Sequence, residues 1–147
     1  MEQKQSERRT GKCLCGAVSF EADIANFKAQ ACHCKQCQQW TGGGPLFVVR
    51  VQNVDLEGAA SITSYRASAH GERSVCDNCG STLFWNMQGE QPRSMALGLF
   101  EDQSGITIGQ EIFVDQRPDW LPPFEGATQS TEADELAKLK EYLEAKE

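Results

Sequence analysis

The sequence lacks long apolar runs and an excess of positive charge. No stretch approaches the roughly 18 to 20 apolar residues that a membrane-spanning helix requires, and the first ten residues, MEQKQSERRT, are followed by no apolar segment of a secretory signal. The formal net charge is −7, whereas a protein that binds a phosphate backbone needs clustered Lys and Arg. We therefore expect a cytoplasmic protein with neither a membrane nor a nucleic-acid partner.

The sequence also lacks the even cysteine count of a disulfide framework. It has seven cysteines, so at least one thiol would stay unpaired, and such frameworks are typical of secreted chains. The cysteines form two pairs and a triplet, in the segments CLCG, CDNCG and CHCKQC. Because thiolates at such short spacings are typical metal ligands, this pattern predicts metal binding.

The two pairs predict one closed metal site. Each pair is followed by a glycine, Gly16 or Gly80, which permits a positive φ and a tight turn that presents both sulfurs to one ion. We call these turns, residues 13–16 and 76–80, the first and second knuckle. A structural zinc takes four protein ligands in a tetrahedron, and the predicted ligands here are Cys13, Cys15, Cys76 and Cys79. Since this ion would close a long loop, we expect its removal to unfold the chain.

The triplet, Cys32, Cys34 and Cys37, remains for a second ion. Three protein ligands and one open position are typical of a catalytic zinc, so we predict that the triplet holds one. Two alternatives remain. Cys34 and Cys37 have the Cys-x-x-Cys spacing of a redox pair, and His33 could supply a fourth ligand and close the site. In an extended segment, however, the side chain of His33 alternates away from those of its two cysteine neighbours.

The rest of the chain predicts a mainly β fold with one C-terminal helix. Short segments rich in β-branched and aromatic residues predict strands at residues 45–51, 61–67, 72–76, 93–100 and 111–115. Thr131 and Asp134 have the spacing of a helix-capping pattern. After them, apolar residues recur at helical spacing, namely Ala133, Leu136, Leu139 and Leu143. Residues 1–10 are polar and aperiodic, and we expect them to form a disordered leader.

Three segments in this order, GKCLCGAVSF, CHCKQCQQWTGG and CDNCGSTLFW, resemble the glutathione-dependent formaldehyde-activating enzyme family. The later segment IFVDQRPDWLPPFEG is similar to the family's C-terminal strand and the Trp-containing segment after it. The likeness extends from Gly11 to Phe124. It implies a zinc-binding domain of this type over residues 11–126, with the C-terminal helix of residues 127–147 packed on or trailing the domain.

The resemblance implies the same division of the cysteines. It implies a β-tent fold of short antiparallel sheets with two zinc ions per chain, a structural zinc in the knuckles and a more labile zinc in the triplet at the reactive centre. The family's reaction implies a carbon–sulfur lyase. Its partners would be a small-molecule thiol of the glutathione type and a small aldehyde such as formaldehyde, and its product S-hydroxymethylglutathione.

Two other functions stay open at this point. The chain could be a non-catalytic zinc-binding scaffold, with the triplet degenerate or closed by His33. It could also be a thiol redox protein that uses Cys34 and Cys37. Metal content and lability separate the three functions. The enzyme requires two ions, one of them released readily to a chelator while the fold persists, the scaffold would hold two inert ions, and the redox protein requires one ion and a reversible disulfide of Cys34 and Cys37.

Overall fold

The structure, a computed structural model, describes residues 7–146 and shows a mainly β chain. This range contains ten strands: β1 (Glu7–Lys12), β2 (Ser19–Ile24), β3 (Lys28–Cys32), β4 (Leu46–Glu57), β5 (Ile62–Tyr65), β6 (Gly71–Cys76), β7 (Thr82–Met87), β8 (Ser94–Ala96), β9 (Thr107–Ile112) and β10 (Thr128–Gln129). It also contains two α-helices, α1 (Lys35–Thr41) and α2 (Glu132–Ala145), and neither is long and apolar enough to cross a membrane. The prediction of a mainly β fold with a C-terminal helix is confirmed.

The chain divides into two compact units, each made of two segments. The first unit contains the chain up to Ala29 together with Val48–Thr107. The second contains Gln30–Phe47 together with the chain from Ile108 onward. Both knuckles belong to the first unit and the whole triplet belongs to the second, so each candidate metal centre lies within one unit.

The main sheet of the first unit joins β1, β2 and β4 as antiparallel neighbours, and β8 pairs with β4. Side chains point alternately to the two faces of β2, and one of these faces is buried: Phe20, Ala22 and Ile24 are buried while Glu21 is exposed. The ring of Phe20 meets that of Phe100 edge to face, with 5.2 Å between the centroids. This apolar core anchors β2 just after the first knuckle.

A second sheet of the first unit, β5-β6-β7, is antiparallel and carries the second knuckle. β6 ends at Cys76 and β7 begins at Thr82, so Cys79 lies in the turn between them. The N–H of Cys76 closes this turn by donating to the carbonyl of Ser81 at 3.0 Å. Both ends of the second knuckle are therefore fixed by paired strands.

In the second unit β3, β9 and β10 are neighbours, and β10 runs parallel to β9. This parallel pair differs from the expectation of antiparallel sheets alone. Phe113 follows β9 with a φ of 57°, and the chain then returns through residues 117–127 to place β10 beside β9 in the same direction. The N–H of Val114 donates to the carbonyl of Ser130 at 3.0 Å, so the segment between β9 and α2 is joined at its two ends by a backbone hydrogen bond.

The predicted strands are present with shifted boundaries. β4 extends the prediction for residues 45–51 as far as Glu57, and β9 begins four residues before the predicted start at residue 111. β8 is shorter than predicted, because a 3₁₀ turn at Leu97–Leu99 replaces the second half of the segment. β1, β3, β10 and α1 were not predicted.

The predicted disordered leader, residues 1–10, is corrected by β1. Residues 7–10 belong to this strand and pair with β2, while residues 1–6 lie outside the described residues. Besides the backbone pairing with β2, the guanidinium of Arg8 bonds to carboxylates of β2 and β4, those of Glu21, Asp23 and Asp55. Cross-strand ion pairs of this kind give no signal in hydrophobic periodicity.

The predicted cap of α2 is confirmed. The hydroxyl of Thr131 accepts from the N–H of Asp134 at 3.2 Å, and the carboxylate of Asp134 accepts from the N–H of Thr131 at 2.9 Å. The predicted apolar stripe does not form a buried face, since no residue of α2 is buried and Leu136 is 53% exposed. β10 occupies the start of the predicted helical tail, residues 127–147.

We expect Thr131→Ala to loosen the first turn of α2 and to lower its local stability by about 1 kcal/mol. Asp134→Ala removes the reciprocal bond, and the effects of the two variants should not add, because the two bonds form one capping box. Amide hydrogen exchange of residues 132–138 measures the effect. Thr63→Ala, at an exposed position of β5, is the control. Unchanged exchange in Thr131→Ala would contradict the role of the cap.

Candidate metal centres

The sulfurs of the two knuckles form a four-cysteine cluster. The Sγ atoms of Cys13, Cys15, Cys76 and Cys79 lie within 4.8 Å of one another. Cys15 Sγ is 3.7 Å from Cys13 Sγ and 3.8 Å from Cys76 Sγ, and all four cysteines are free of disulfides. Four sulfurs at about 2.3 Å from a zinc ion in a tetrahedron stand about 3.8 Å apart. The donor set and its spacing therefore fit a four-thiolate metal site.

The backbone of the first knuckle directs N–H groups at the sulfurs. Gly16 has a φ of 83°, and its N–H donates to the carbonyl of Cys13 at 3.1 Å. The two residues after it then donate to sulfur: Val18 to Cys13 Sγ at 3.3 Å and Ala17 to Cys15 Sγ at 3.4 Å. Donation of this kind favours the thiolate form, which is the form that binds metal. Gly80 has a φ of 78° in the second knuckle, so both glycine predictions are confirmed.

Ser81 links the two knuckles. Its Oγ accepts from the N–H of Leu14 at 3.0 Å and is 3.2 Å from Cys79 Sγ. The bond from Leu14 occupies a lone pair of Oγ and leaves the hydroxyl proton free to be donated to the sulfur. The hydroxyl of Ser81, and then its N–H, lower the pKa of Cys79 to about 5. Ser81 gave no signal at the sequence level beyond its place beside the cysteine pair.

The triplet forms a second cluster, whose three sulfurs also lie within 4.8 Å of one another. Cys32 ends β3, Cys34 is the N-cap of α1, and Cys37 lies in the first turn of that helix. The Sγ of Cys34 accepts from the N–H of Cys37 at 3.3 Å. Cys32 and Cys37 are buried whereas Cys34 is partly exposed, so Cys34 is the member that solvent reaches.

The donor chemistry of the triplet also fits a metal ion. Hydrogen bonds to Cys34 and Cys37, and then burial, raise the pKa of the Cys32 thiol. Three adjacent sulfurs at this depth resist joint ionisation unless a cation compensates their charge. Soft thiolate ligands select ions such as zinc. These residues would therefore hold a metal ion with three protein ligands.

The structure does not bring His33 into the triplet as a fourth ligand. Neither of its ring nitrogens belongs to the group of ligand atoms that lie within 4.8 Å of one another. Its Nε2 lies instead 2.8 Å from Oε1 of Glu111, and both side chains are fully buried. The closed Cys₃His site considered from the sequence is thus not formed.

Glu111 is a site residue that sequence reasoning missed. Besides His33, it accepts from Nη1 of Arg117 at 3.1 Å, from the N–H of Phe124 at 3.0 Å and from Nε2 of Gln129 at 3.3 Å. Burial would raise the pKa of Glu111, but the bonds from His33 and Phe124 and the charge of Arg117 lower it overall. The available signal was an acidic residue at the start of the apolar stretch EIFVD.

Gln38 and Gln116 hold the backbone around the triplet. Nε2 of Gln38 donates to the carbonyl of His33 at 2.8 Å and to that of Gln116 at 3.0 Å. The side-chain oxygen of Gln116 accepts from the N–H of Lys35 at 2.8 Å. The segment from His33 to α1 is therefore fixed by amide contacts that carry no charge, and nothing in the sequence pattern indicated them.

The first unit contains a cavity of about 500 Å³ that no cysteine lines. It is lined by residues 50–53 and 90–93, and none of the seven cysteines contributes to it. The two sulfur clusters, rather than this cavity, therefore carry the candidate chemistry.

We expect Cys76→Ser to remove the metal of the four-cysteine cluster and to unfold the first unit, because structural zinc contributes about 10 to 16 kcal/mol in small zinc-binding peptides. Cys34→Ser is the matched control. It should lower the metal content by one ion per chain while the melting temperature changes little. Elemental analysis and thermal unfolding measure both effects, and a Cys76→Ser protein as stable as Cys34→Ser would contradict the assignment.

Comparison with known proteins agrees with this geometry. The pattern of the glutathione-dependent formaldehyde-activating enzyme family matches residues 8–116. A Schizosaccharomyces pombe protein described as an uncharacterized lyase is 30% identical over 129 residues, 87% of this chain and 93% of that protein. A crystal structure of a Rhodobacter sphaeroides protein is similar in fold, with a TM-score of 0.51 and 19% identity over 83% of this chain and 99% of that chain. The chain belongs to the glutathione-dependent formaldehyde-activating enzyme family.

Proposed function

We propose that this protein is a zinc-dependent carbon–sulfur lyase that adds a thiol of the glutathione type to a small aldehyde such as formaldehyde. Membership of the family and the lyase description of the S. pombe relative support the reaction class. The observation that carries the proposal is the difference between the two clusters. One has four cysteines, which is a complete ligand set, and the other has three, of which Cys34 is partly exposed.

The four-cysteine cluster has the structural role. Cys13, Cys15, Cys76 and Cys79 would complete the coordination of a zinc ion, so a substrate atom could bind there only by displacing a protein ligand. Cys13 and Cys76 are buried, whereas Cys15 is exposed and Cys79 is partly exposed, so it is the complete ligand set, and not burial, that leaves no position for substrate. This centre therefore supports the fold and takes no part in the reaction.

The triplet, Cys32, Cys34 and Cys37, has the catalytic role. Three thiolates on a divalent ion give the centre a net charge of about −1, so bound water is acidified less than at a neutral three-histidine site. Hydrolysis is therefore disfavoured. The chemistry that zinc supplies in this position is activation of an incoming thiol as its thiolate, which stays nucleophilic toward a carbonyl carbon.

The proposed addition needs no oxidant or reductant. The sulfur–carbon bond forms as the carbonyl double bond becomes a single carbon–oxygen bond, and the thiol proton ends on the new hydroxyl oxygen. The chain contributes position. β3 and α1 hold the three sulfurs, and Cys34 at the start of α1 is the member that an entering thiol can approach.

The two alternative functions have less support. A scaffold closed by His33 requires an imidazole nitrogen among the sulfurs, whereas Nε2 of His33 contacts Glu111. A redox pair of Cys34 and Cys37 requires only two sulfurs, whereas Cys32 Sγ lies within 4.8 Å of both. The three-sulfur arrangement therefore favours metal binding over disulfide chemistry.

Exchange NMR of formaldehyde and glutathione tests the proposal. We expect the zinc-loaded chain to accelerate exchange between free formaldehyde and its glutathione adduct, and Cys34→Ser to return exchange to the uncatalysed rate. Thr63→Ser, at an exposed position of β5, should keep the full acceleration.

Acceleration with another small thiol, but not with glutathione, would support the proposed reaction and identify that thiol as the substrate in place of glutathione. If no thiol gives acceleration, or if Cys34→Ser keeps it in full, the lyase proposal is wrong.

A further inference from the structure

A buried histidine–glutamate pair holds the segment that carries two sulfurs of the triplet. His33 stands between Cys32 and Cys34, and its Nε2 lies 2.8 Å from Oε1 of Glu111. Both side chains have 0% exposed surface. In an extended segment the side chain of His33 and those of its two neighbours leave opposite sides of the same short backbone. The position of the imidazole ring therefore contributes to how that backbone presents the two sulfurs.

Glu111 alone orients the ring of His33 within the described residues. The other ring nitrogen, Nδ1, is buried and has no hydrogen-bond partner in that part of the chain. With Nε2–H donated to the ionised carboxylate, a neutral imidazole has its unprotonated nitrogen at Nδ1. A single hydrogen bond thus sets both the tautomer and the rotation of this ring.

The backbone of His33, by contrast, is held independently of Glu111. Its N–H donates to the carbonyl of Ile112 at 3.0 Å, and its carbonyl accepts from Gln38 at 2.8 Å. Loss of the side-chain bond should therefore leave the segment folded while releasing the ring. This separation makes the role of the side-chain bond measurable.

Glu111 is itself fixed by three further donors. Arg117 donates to the same oxygen as His33, while Phe124 and Gln129 donate to the other oxygen. A buried carboxylate with both oxygens occupied has little freedom to rotate. It is therefore a rigid acceptor for the histidine.

We propose that Glu111 is a positioning residue of the second metal centre, which acts through His33 to hold Cys32 and Cys34 in the geometry that binds the ion. This inference rests on the proposed role of the triplet as a metal centre. Substitution of residues that orient metal ligands without touching the ion typically changes metal affinity about 10- to 100-fold.

Zinc affinity of the triplet tests the inference in the zinc-loaded full chain, with a chromophoric chelator as competitor. We expect Glu111→Leu and His33→Leu, each of which removes the bond between the two side chains, to weaken zinc binding at the triplet about 10-fold or more. The zinc of the four-cysteine cluster in the same molecule is the internal reference and should be retained. A variant that carries both changes should bind zinc at the triplet no more weakly than the single variant with the lower affinity, because both changes remove the same bond.

Three further variants separate positioning from general destabilisation. His33→Gln can still donate an amide N–H to Glu111 and should recover most of the affinity. Thr128→Val removes a hydrogen bond of the second unit that does not involve Glu111, from the hydroxyl of Thr128 to the carbonyl of Gly109, and should leave the affinity unchanged. Asn86→Leu removes a buried amide of the first unit that donates to Glu72 and to two carbonyls, and it should lower stability without changing the triplet.

The outcomes distinguish failure of the inference about Glu111 from failure of the proposed function. If the parent chain binds two zinc ions and His33→Leu or Glu111→Leu leaves the affinity of the triplet unchanged, the inference is wrong while the proposed function stands. Equal weakening by Asn86→Leu would also overturn it. A parent chain that binds a single zinc would contradict the proposed function and the inference together. Should Glu111→Leu fail to fold, the difference between His33→Leu and His33→Gln decides the question.

Discussion

Repulsion among crowded thiolates is the constraint on which this structure depends. The seven cysteine sulfurs form two groups, each within 4.8 Å, and neighbouring sulfurs in partly buried surroundings resist joint ionisation without a cation. N–H groups of Ala17, Val18 and Cys37 donate to sulfurs and offset part of this charge. A metal ion would offset the rest, and the spacing of the sulfurs in each cluster fits the ligands of one ion. Metal binding would therefore be coupled to folding.

The two clusters differ in how far apart their cysteines lie in the sequence. The four-cysteine cluster joins two knuckles that different sheets of the first unit support, so its ion would link segments that are distant in sequence. The triplet is local, built from the end of β3 and the start of α1. Loss of its ion would remove no long-range connection. The first arrangement suits stability and the second suits exchange of ligands.

Both cysteine groups could be predicted from the sequence because short cysteine spacings and the following glycines, Gly16 and Gly80, are local signals. The capping box of α2 was predicted for the same reason. The contact of His33 with Glu111 was not, since it joins residues 78 apart in sequence. β1 was missed because its sequence, ERRTGK, has one β-branched residue and no aromatic one. The parallel pairing of β10 was missed because the strand has only two residues and follows an irregular segment that begins with a left-handed φ at Phe113, a conformation that aromatic residues rarely adopt.

Cadmium-113 NMR of the cadmium-loaded chain tests most directly the central claim, that a closed four-thiolate centre and an open three-thiolate centre occur in one molecule. We predict two resonances, assigned by the loss of one of them in Cys34→Ser. Addition of glutathione should shift the resonance of the triplet and leave that of the four-cysteine cluster in place, because only the triplet has a position for another sulfur. A single resonance, or two resonances that both stay fixed when a thiol is added, would contradict the claim.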